Sequence, residues 1–243
     1  MPPDDAAAPT AADPITKLTD PRAITILSTE HWSLLSARSL AYNEAFTRGG
    51  MFLTFLSASL VALALLAQGM SFGDQFLVVA AIVLTFDFLI GLATYGRISG
   101  ANVDDVRAMH GMARIRNGYI QAAPMLEPFF TSPIHDDVES VLQAYGSGPS
   151  SWLGDFVYGL TTSGGMIGLI VSMVGGVLAG VLALMTDLAG IAVWIGLAAA
   201  VLTFVIVAAL TFGSVPRHQR NLKVLFPAPI ARQEDAPAEQ PRG

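Results

Sequence analysis

The hydrophobic pattern of the chain contains four stretches that are long enough to cross a lipid bilayer as helices. They cover roughly residues 50–68, 75–96, 164–186 and 188–212, and charged side chains are almost absent from them. A membrane-spanning helix needs ~20 mainly apolar residues, and soluble helices are rarely uncharged over such a length. The pattern therefore predicts four transmembrane helices, which we number as spans one to four.

Helical periodicity continues outside these spans. Apolar residues recur on one helical face in residues 29–48 and again in residues 103–123, where Asn102 is placed to cap the helix and Pro124 to end it. A further helix is expected from Ser132 and Pro133 onward. The two faces consist of Trp32, Leu35, Tyr42 and Phe46, and of Val103, Val106, Met109, Ala113 and Ile120.

These elements divide the chain into six segments. The terminal segments are rich in Pro, Ala and acidic residues, which is typical of disordered tails. The segments are a tail (1–19), a helical region (20–49), spans one and two (50–96), a helical loop (97–162), spans three and four (163–213) and a C-terminal tail (214–243).

The positions of the basic residues predict how the chain crosses the membrane. Arg48 lies beside span one, Arg97 beside span two, and Arg217 and Arg220 beside span four. By the positive-inside tendency, both termini and the loop at 97–162 are cytoplasmic. We therefore expect an all-α, multi-pass membrane protein. Its four transmembrane helices would form two antiparallel pairs, accompanied by cytoplasmic amphipathic helices.

Composition agrees with a membrane protein and excludes several kinds of chemistry. Of the 243 residues, 53% are hydrophobic and 13% are charged, with a mean hydropathy of +0.55. An average soluble domain is about 25% charged. The net charge of −6 gives no reason to expect a nucleic-acid partner, and the absence of cysteine excludes disulfides, thiolate metal sites and a cysteine nucleophile.

Two motifs carry a resemblance to known proteins. They are SLLSARSLAYNEAFTRGGMFLTFLSA before and within span one, and DDVRAMHGMARIRNGYIQAAPMLEPFF in the middle loop. With them the chain resembles an uncharacterised family of bacterial four-span membrane proteins, over roughly residues 18–225. The first half is also similar to the two-span SLATT modules of bacterial defence systems, which lack the second pair of spans. That likeness implies a cytosolic helix before paired spans, in modules suspected to form pores.

No enzyme motif stands out in the sequence. His135 and Glu139 are four residues apart and could share a metal ion with Asp136. Acids are common in the first turn of any helix, so we interpret this group as a solvated helix start. A metalloprotease helix motif, a phosphate-binding loop and a nucleophile elbow are all missing from the sequence. We expect no enzymatic activity, no metal and no cofactor.

Span three contains a ridge of small residues. Gly164, Gly168, Ser172, Gly176 and Gly180 follow one another at a spacing of four. Such a ridge lets another helix approach closely, which is how helices gain contact energy in lipid. It indicates either a helix that lines a pore or simple packing within a bundle or oligomer. Span four, with Gly196 and Ala200, is the expected partner within the chain.

Asp87 is the one charged residue inside a predicted span. It lies near the middle of span two, where an acid costs ~3 kcal/mol on insertion scales. The spans contain no Lys, Arg or His, so its partners must be hydroxyls: Thr54, Ser57, Ser59, Ser172 or Thr203. Asp87 is then either an intramembrane ion or proton site or a protonated acid that fixes helix packing. The candidate site comprises Asp87, Ser57 and Ser172.

These features lead to one preferred function and two others. The preferred function is a non-enzymatic, homo-oligomeric, channel-like or pore-forming protein whose surroundings are the lipid bilayer. The alternative is a membrane scaffold or regulatory subunit that binds a protein partner through its cytoplasmic helices. A small proton-coupled transporter is the third, although four spans would need a dimer to provide alternating halves.

Overall fold

The structure, a computed structural model, describes residues 21–70, 73–145, 159–160, 162–219 and 223–229. These residues are helical or irregular, with no strand among them. The predicted tail at 1–19 and residues 230–243 lie outside the described residues. The principal helices are α1 (Pro21–Met70), α2 (Asp74–Ala122), α3 (Val138–Gln143), α4 (Ser163–Leu184) and α5 (Ala192–Gln219), with short 3₁₀ turns at Pro124–Phe129 and Ala189–Ile191.

Four of the helical stretches are long and apolar enough to cross a membrane. They are Arg22–Met70, Asp74–Ala122, Ser163–Leu184 and Ala189–Leu210. The prediction of an all-helical protein with four such helices is confirmed, and it supports a multi-pass membrane protein.

The amphipathic segments predicted beside spans one and two are not separate helices. α1 has 50 residues and α2 has 49, and each continues from its apolar part into its polar part without a break. Gly49 and Gly50 lie inside α1, and Asn102 lies inside α2 and caps nothing. Neither helix contains an interior proline, and a glycine in a helix costs only about 1 kcal/mol. Pro124 begins a 3₁₀ turn after α2 has ended, as the sequence predicts.

The helix predicted from Pro133 begins later than expected, because α3 covers only Val138–Gln143. The Pro133 carbonyl instead accepts a hydrogen bond from Arg116 Nη1 at 3.2 Å, which holds the preceding segment against α2. The Asp137 carboxylate accepts the Ser140 N–H at 3.0 Å and caps α3.

Three of the four residues predicted to form an apolar face on the first half of α1 are exposed, whereas the fourth, Tyr42, is half-buried. Trp32 and Phe46 are 66% and 57% exposed, and Leu35 is exposed as well. α1 instead contacts α2 through a face that includes Leu34, whose side chain lies over Gly111. The error arose because apolar side chains surround this helix, so periodicity alone did not distinguish the buried side.

The apolar stripe predicted on α2 is closer to the observed buried face. Met109 and Ala113 are buried, and Val103, Val106 and Ile120 are half-buried. Nearer the start of α2, the main core lies among α1, α2 and α4, and Val207 of α5 also belongs to it. Its buried residues include Phe52, Leu56, Leu63, Leu84, Tyr95, Val171 and Val174.

Candidate functional site

Asp87 is fully buried between the apolar parts of α1 and α2, with 0% of its surface exposed. The hydroxyl group of Ser59 in α1 donates a hydrogen bond to Asp87 Oδ1, with 3.1 Å between the two oxygens. The acid that stood out in the sequence therefore faces the protein interior and meets a hydroxyl of the neighbouring helix.

Helical phase explains why these two residues meet. Side chains three and four positions apart share one face of a helix, and each residue of the pair belongs to such a series of buried positions. The series are Leu84, Asp87, Gly91 and Thr94 on α2, and Phe52, Leu56, Ser59 and Leu63 on α1.

The second carboxyl oxygen of Asp87 has no hydrogen-bond partner among the described residues. An ionised carboxylate half satisfied in apolar surroundings is very costly, whereas a protonated carboxyl is far less so. Ser59 is also neutral, so it does not balance a negative charge. The arrangement therefore favours a carboxyl that carries a proton, and the site can hold or release one.

Gly91, one turn from Asp87, makes a close junction of three helices possible. A Cβ atom at Gly91 would lie 2.8 Å from Val171 Cγ2 of α4 and 2.9 Å from Phe52 Cζ of α1. The backbone of α2 is thus as close to both neighbours as packing permits. Sequence reasoning missed Gly91, although it stands in the same four-residue phase as Asp87.

The structure does not bring Ser57 together with Asp87. The Ser57 side chain is exposed, and its hydroxyl donates to the Leu53 carbonyl at 2.8 Å. Ser57 precedes Ser59 by two positions, which is about 200° around a helix. It therefore lies away from the face that carries Ser59.

Ser172 is buried, but its hydroxyl does not bond Asp87. It donates to the Gly168 carbonyl of its own helix at 2.7 Å. Its neighbour Val171 lies against Gly91, so Ser172 is in the part of α4 that packs near the site. The structure records no bond between Ser172 and Asp87.

The small-residue ridge of α4 is covered by helices of the same chain. A Cβ atom at Gly176 would lie 2.6 Å from Ala200 Cβ and 2.7 Å from the Gly196 carbonyl oxygen of α5. Gly180 also lies near Gly196, with 3.8 Å between such a Cβ atom and the Gly196 Cα.

The other end of the ridge contacts α2. A Cβ atom at Gly164 would lie 3.7 Å from Ile98, and one at Gly168 would lie 3.2 Å from the Tyr95 ring. Gly168 also lies near Val207 of α5. These contacts favour packing within the chain as the role of the ridge.

A buried polar cluster around Asp105 joins three parts of the chain outside the predicted spans. Asp105 is 3% exposed and forms an ion pair with Arg38 of α1. The Tyr145 hydroxyl donates to Asp105 Oδ2 at 2.5 Å. Sequence reasoning did not single out Asp105. The available signal was its position four residues before Met109, which belongs to the predicted apolar stripe.

The interpretation of Asp136 as a solvated residue is also wrong, since it is 0% exposed. Its carboxylate accepts hydrogen bonds from Arg114 Nε at 2.7 Å, from the Phe226 N–H at 2.7 Å and from the Leu225 N–H at 3.0 Å. Burial by itself raises the pKa of Asp136, but the Leu225 N–H, the Arg114 guanidinium and the Phe226 N–H together hold that pKa below its usual value.

The bonds to Asp136 belong to a larger set that holds residues 223–229 against the loop before α3. The Asp136 N–H donates to the Phe226 carbonyl at 3.1 Å, and the Ala228 N–H donates to Asp137 Oδ1 at 3.0 Å. Arg114 also donates to the Lys223 carbonyl. Composition predicts that Ala228 belongs to a disordered C-terminal tail. Its hydrogen bond to Asp137 differs from that prediction.

No protein-family model, curated protein or solved structure matches this chain. The functional argument therefore depends on the buried carboxyl of Asp87 and its surroundings.

Proposed function

We propose that this chain is a non-enzymatic integral membrane protein of a bacterial inner membrane that assembles as a homo-oligomer and is channel-like. A proton bound to Asp87 controls the movement of protons or cations through it. The observation that carries this proposal is a fully buried carboxyl with one unpartnered oxygen among the described residues, inside a helix able to cross a membrane. Intramembrane acids of this kind are costly and mark ion pathways and proton relays.

In the proposed arrangement the spans form two antiparallel pairs. Contacts support the first pair, because residue numbers rise along α1 as they fall along α2: Arg38 meets Asp105, Phe52 meets Gly91, and Ser59 meets Asp87. The second pair is supported in the same way by the approach of Gly176 to Ala200 and of Gly180 to Gly196. Both termini and the loop at 97–162 are placed in the cytoplasm.

The proton at Asp87 connects packing with conduction. A protonated Asp87 is compatible with the tight junction at Gly91, since it places no net charge among apolar side chains. Loss of the proton leaves a charge that Ser59 alone does not stabilise, so it favours the entry of water or of a cation. Ionisation of Asp87 thereby favours a more open arrangement of α1, α2 and α4.

Assembly with further copies is supported by exposed apolar side chains on the first half of α1. Trp32, Leu40 and Phe46 are all more than half exposed, although they precede the apolar stretch that begins at residue 50. Exposed apolar groups of this kind commonly mark protein interfaces. The same face also supports the alternative of a membrane scaffold or regulatory subunit that binds a cytoplasmic protein partner.

The resemblance of the sequence to bacterial four-span proteins and to SLATT modules is a further support for this proposal.

Reconstitution of the purified protein into liposomes tests the proposed function. Movement of protons or monovalent cations that depends on the protein supports the channel. If the liposomes show no ion flux and one protein partner co-purifies in a stoichiometric amount, the result supports the scaffold alternative.

A further inference from the structure

An open groove lies between α2 and α5. Its volume is about 510 Å³, within the range of ligand sites in proteins. Phe88 and Leu92 of α2 and Ile206 and Leu210 of α5 contribute to its walls, and the lining is almost wholly apolar. The two helices are joined across the groove where the Tyr95 hydroxyl donates to the Val207 carbonyl at 2.8 Å.

Two glycines keep the groove open. A Cβ atom added at Gly96 or at Gly100 would meet no other atom within 4 Å, and both residues line the groove. This distinguishes them from Gly91 and Gly176, where a neighbouring helix occupies the space. The free volume above Gly96 and Gly100 is therefore available to another molecule.

The groove extends across about half of a membrane. On α2 it runs from Phe88, next to Asp87 near the middle of span two, to Val103 beyond the end of that span. At ~1.5 Å per residue this distance is about 22 Å, compared with ~15 Å for half the hydrocarbon core. Ser99 is the polar residue that lines the groove near the Val103 end.

The dimensions decide which kind of molecule fits. Dividing about 510 Å³ by about 22 Å gives a mean cross-section of about 23 Å². A helix with its side chains is ~10 Å wide, which corresponds to about 80 Å², so a second copy of a span would cover the mouth of the groove without filling it. A single extended hydrocarbon chain fills the groove, with its apolar end at the membrane centre and its polar end near Ser99.

We propose that this groove binds one acyl chain of a membrane lipid. The lipid comes from the leaflet on the side of Arg97, and its ester end lies at the Ser99 end of the groove. The chain fills the space between α2 and α5 and so sets how closely these helices approach each other. The site requires only that the helices cross a bilayer, and it does not depend on Asp87 or on channel activity.

Photo-crosslinking tests the site in the full-length protein in liposomes. The probe is a phospholipid with a diazirine group in one acyl chain, and the crosslinked residues are identified by peptide mass spectrometry. We expect crosslinks to Leu92, Ile206 or Leu210 in the wild type. Gly96→Leu and Gly100→Leu fill the groove and should lower crosslinking there about tenfold, equivalent to about 1.4 kcal/mol of binding free energy.

Gly50→Leu is the matched control, since a Cβ atom at Gly50 also meets no other atom within 4 Å but lies on α1, away from the groove. It should leave the crosslinks unchanged, and all variants should elute as the wild type does in size-exclusion chromatography. Crosslinking at the groove that Gly96→Leu and Gly100→Leu do not reduce would overturn the proposal. A disulfide between two chains formed through Gly96→Cys, at an exposed position of the groove, would also overturn it, because it would assign the groove to a second copy.

Discussion

The hydroxyl of Ser59 donates a hydrogen bond to Asp87 Oδ1 across the interface of α1 and α2, 28 residues away in the chain. This bond joins two otherwise apolar helix faces at one defined level. It also satisfies only one of the two carboxyl oxygens, because Oδ2 is buried without a partner among the described residues. The same pair thus helps to define the register of the helices and leaves Asp87 able to change its protonation state.

Replacing Ser59 should weaken the fold more than replacing its neighbour Ser57. Ser59→Ala removes the bond to Asp87 and should lower the free energy of unfolding by about 1 kcal/mol, a typical value for a hydrogen bond between membrane helices. Ser57→Ala removes only a bond to the backbone of its own helix, on an exposed face, and should change stability by less than about 0.5 kcal/mol. Equilibrium unfolding in mixed micelles measures both. Equal losses would show that the Ser59–Asp87 bond has no special role.

Close packing between α4 and α5 should depend on Gly176. Gly176→Ile places a branched side chain where even a Cβ atom would lie 2.6 Å from Ala200 Cβ, so it should destabilise the protein by about 1–3 kcal/mol or more. Val177→Ile, at the next position, adds one methyl group to a residue that is 56% exposed and should be nearly silent. Thermal unfolding in detergent compares the two. If both variants unfold at the same temperature, the contact between the small residues of α4 and α5 is not specific.

The attachment of residues 223–229 should depend on the charge of Asp136. Asp136→Asn removes the ion pair with Arg114 and places an amide against N–H donors, at a cost of about 2–4 kcal/mol. Trypsin should then cleave after Lys223 faster than in the wild type. Glu139→Gln is the control, because Glu139 is exposed. Unchanged cleavage in Asp136→Asn would mean that the carboxylate does not hold this segment.

The same attachment should weaken in acid. The folded-state pKa of Asp136 lies below its ordinary value, so this group stabilises the fold fully above that ordinary value, ~3.9. The stabilisation decreases as the pH falls through the ordinary pKa and is lost below the folded-state pKa. In Asp136→Asn the contribution from this residue is absent at every pH.

The orientation of the chain can be tested with single cysteines, since the wild type has none. Gln75 and Thr131 are both exposed. We expect Gln75→Cys to react with a membrane-impermeant maleimide in intact cells and Thr131→Cys to react only after lysis. The reverse pattern of labelling would contradict the proposed topology.

Hydropathy predicted the long apolar helices because the bilayer imposes a length that few other structures need. It also identified Asp87 as the exceptional residue. Hydropathy did not select Ser59 over Ser57. Nearly all residues of a membrane helix are apolar, so the side that faces lipid has the same hydropathy as the side that faces the protein core. The phase that decides between the two serines comes from packing against α2.

The contacts of Asp136 were beyond the reach of the sequence for a different reason. Its donors include the backbone N–H groups of Leu225 and Phe226, about 90 residues away, and backbone groups leave no signature in residue type. The continuous course of α2 was missed because asparagine is common at the start of a helix but Asn102 does not force one.

The most direct test of the account is the flux of protons or monovalent cations through the protein in liposomes, compared between wild type and Asp87→Asn. Asparagine keeps the shape of the side chain and a hydrogen bond to Ser59 but does not ionise. The account predicts that Asp87→Asn folds and assembles as the wild type does and loses the flux, while Asp74→Asn, an exposed acid at the start of α2, retains it. Wild-type flux from Asp87→Asn would contradict the account, because Asp87 would then serve packing alone.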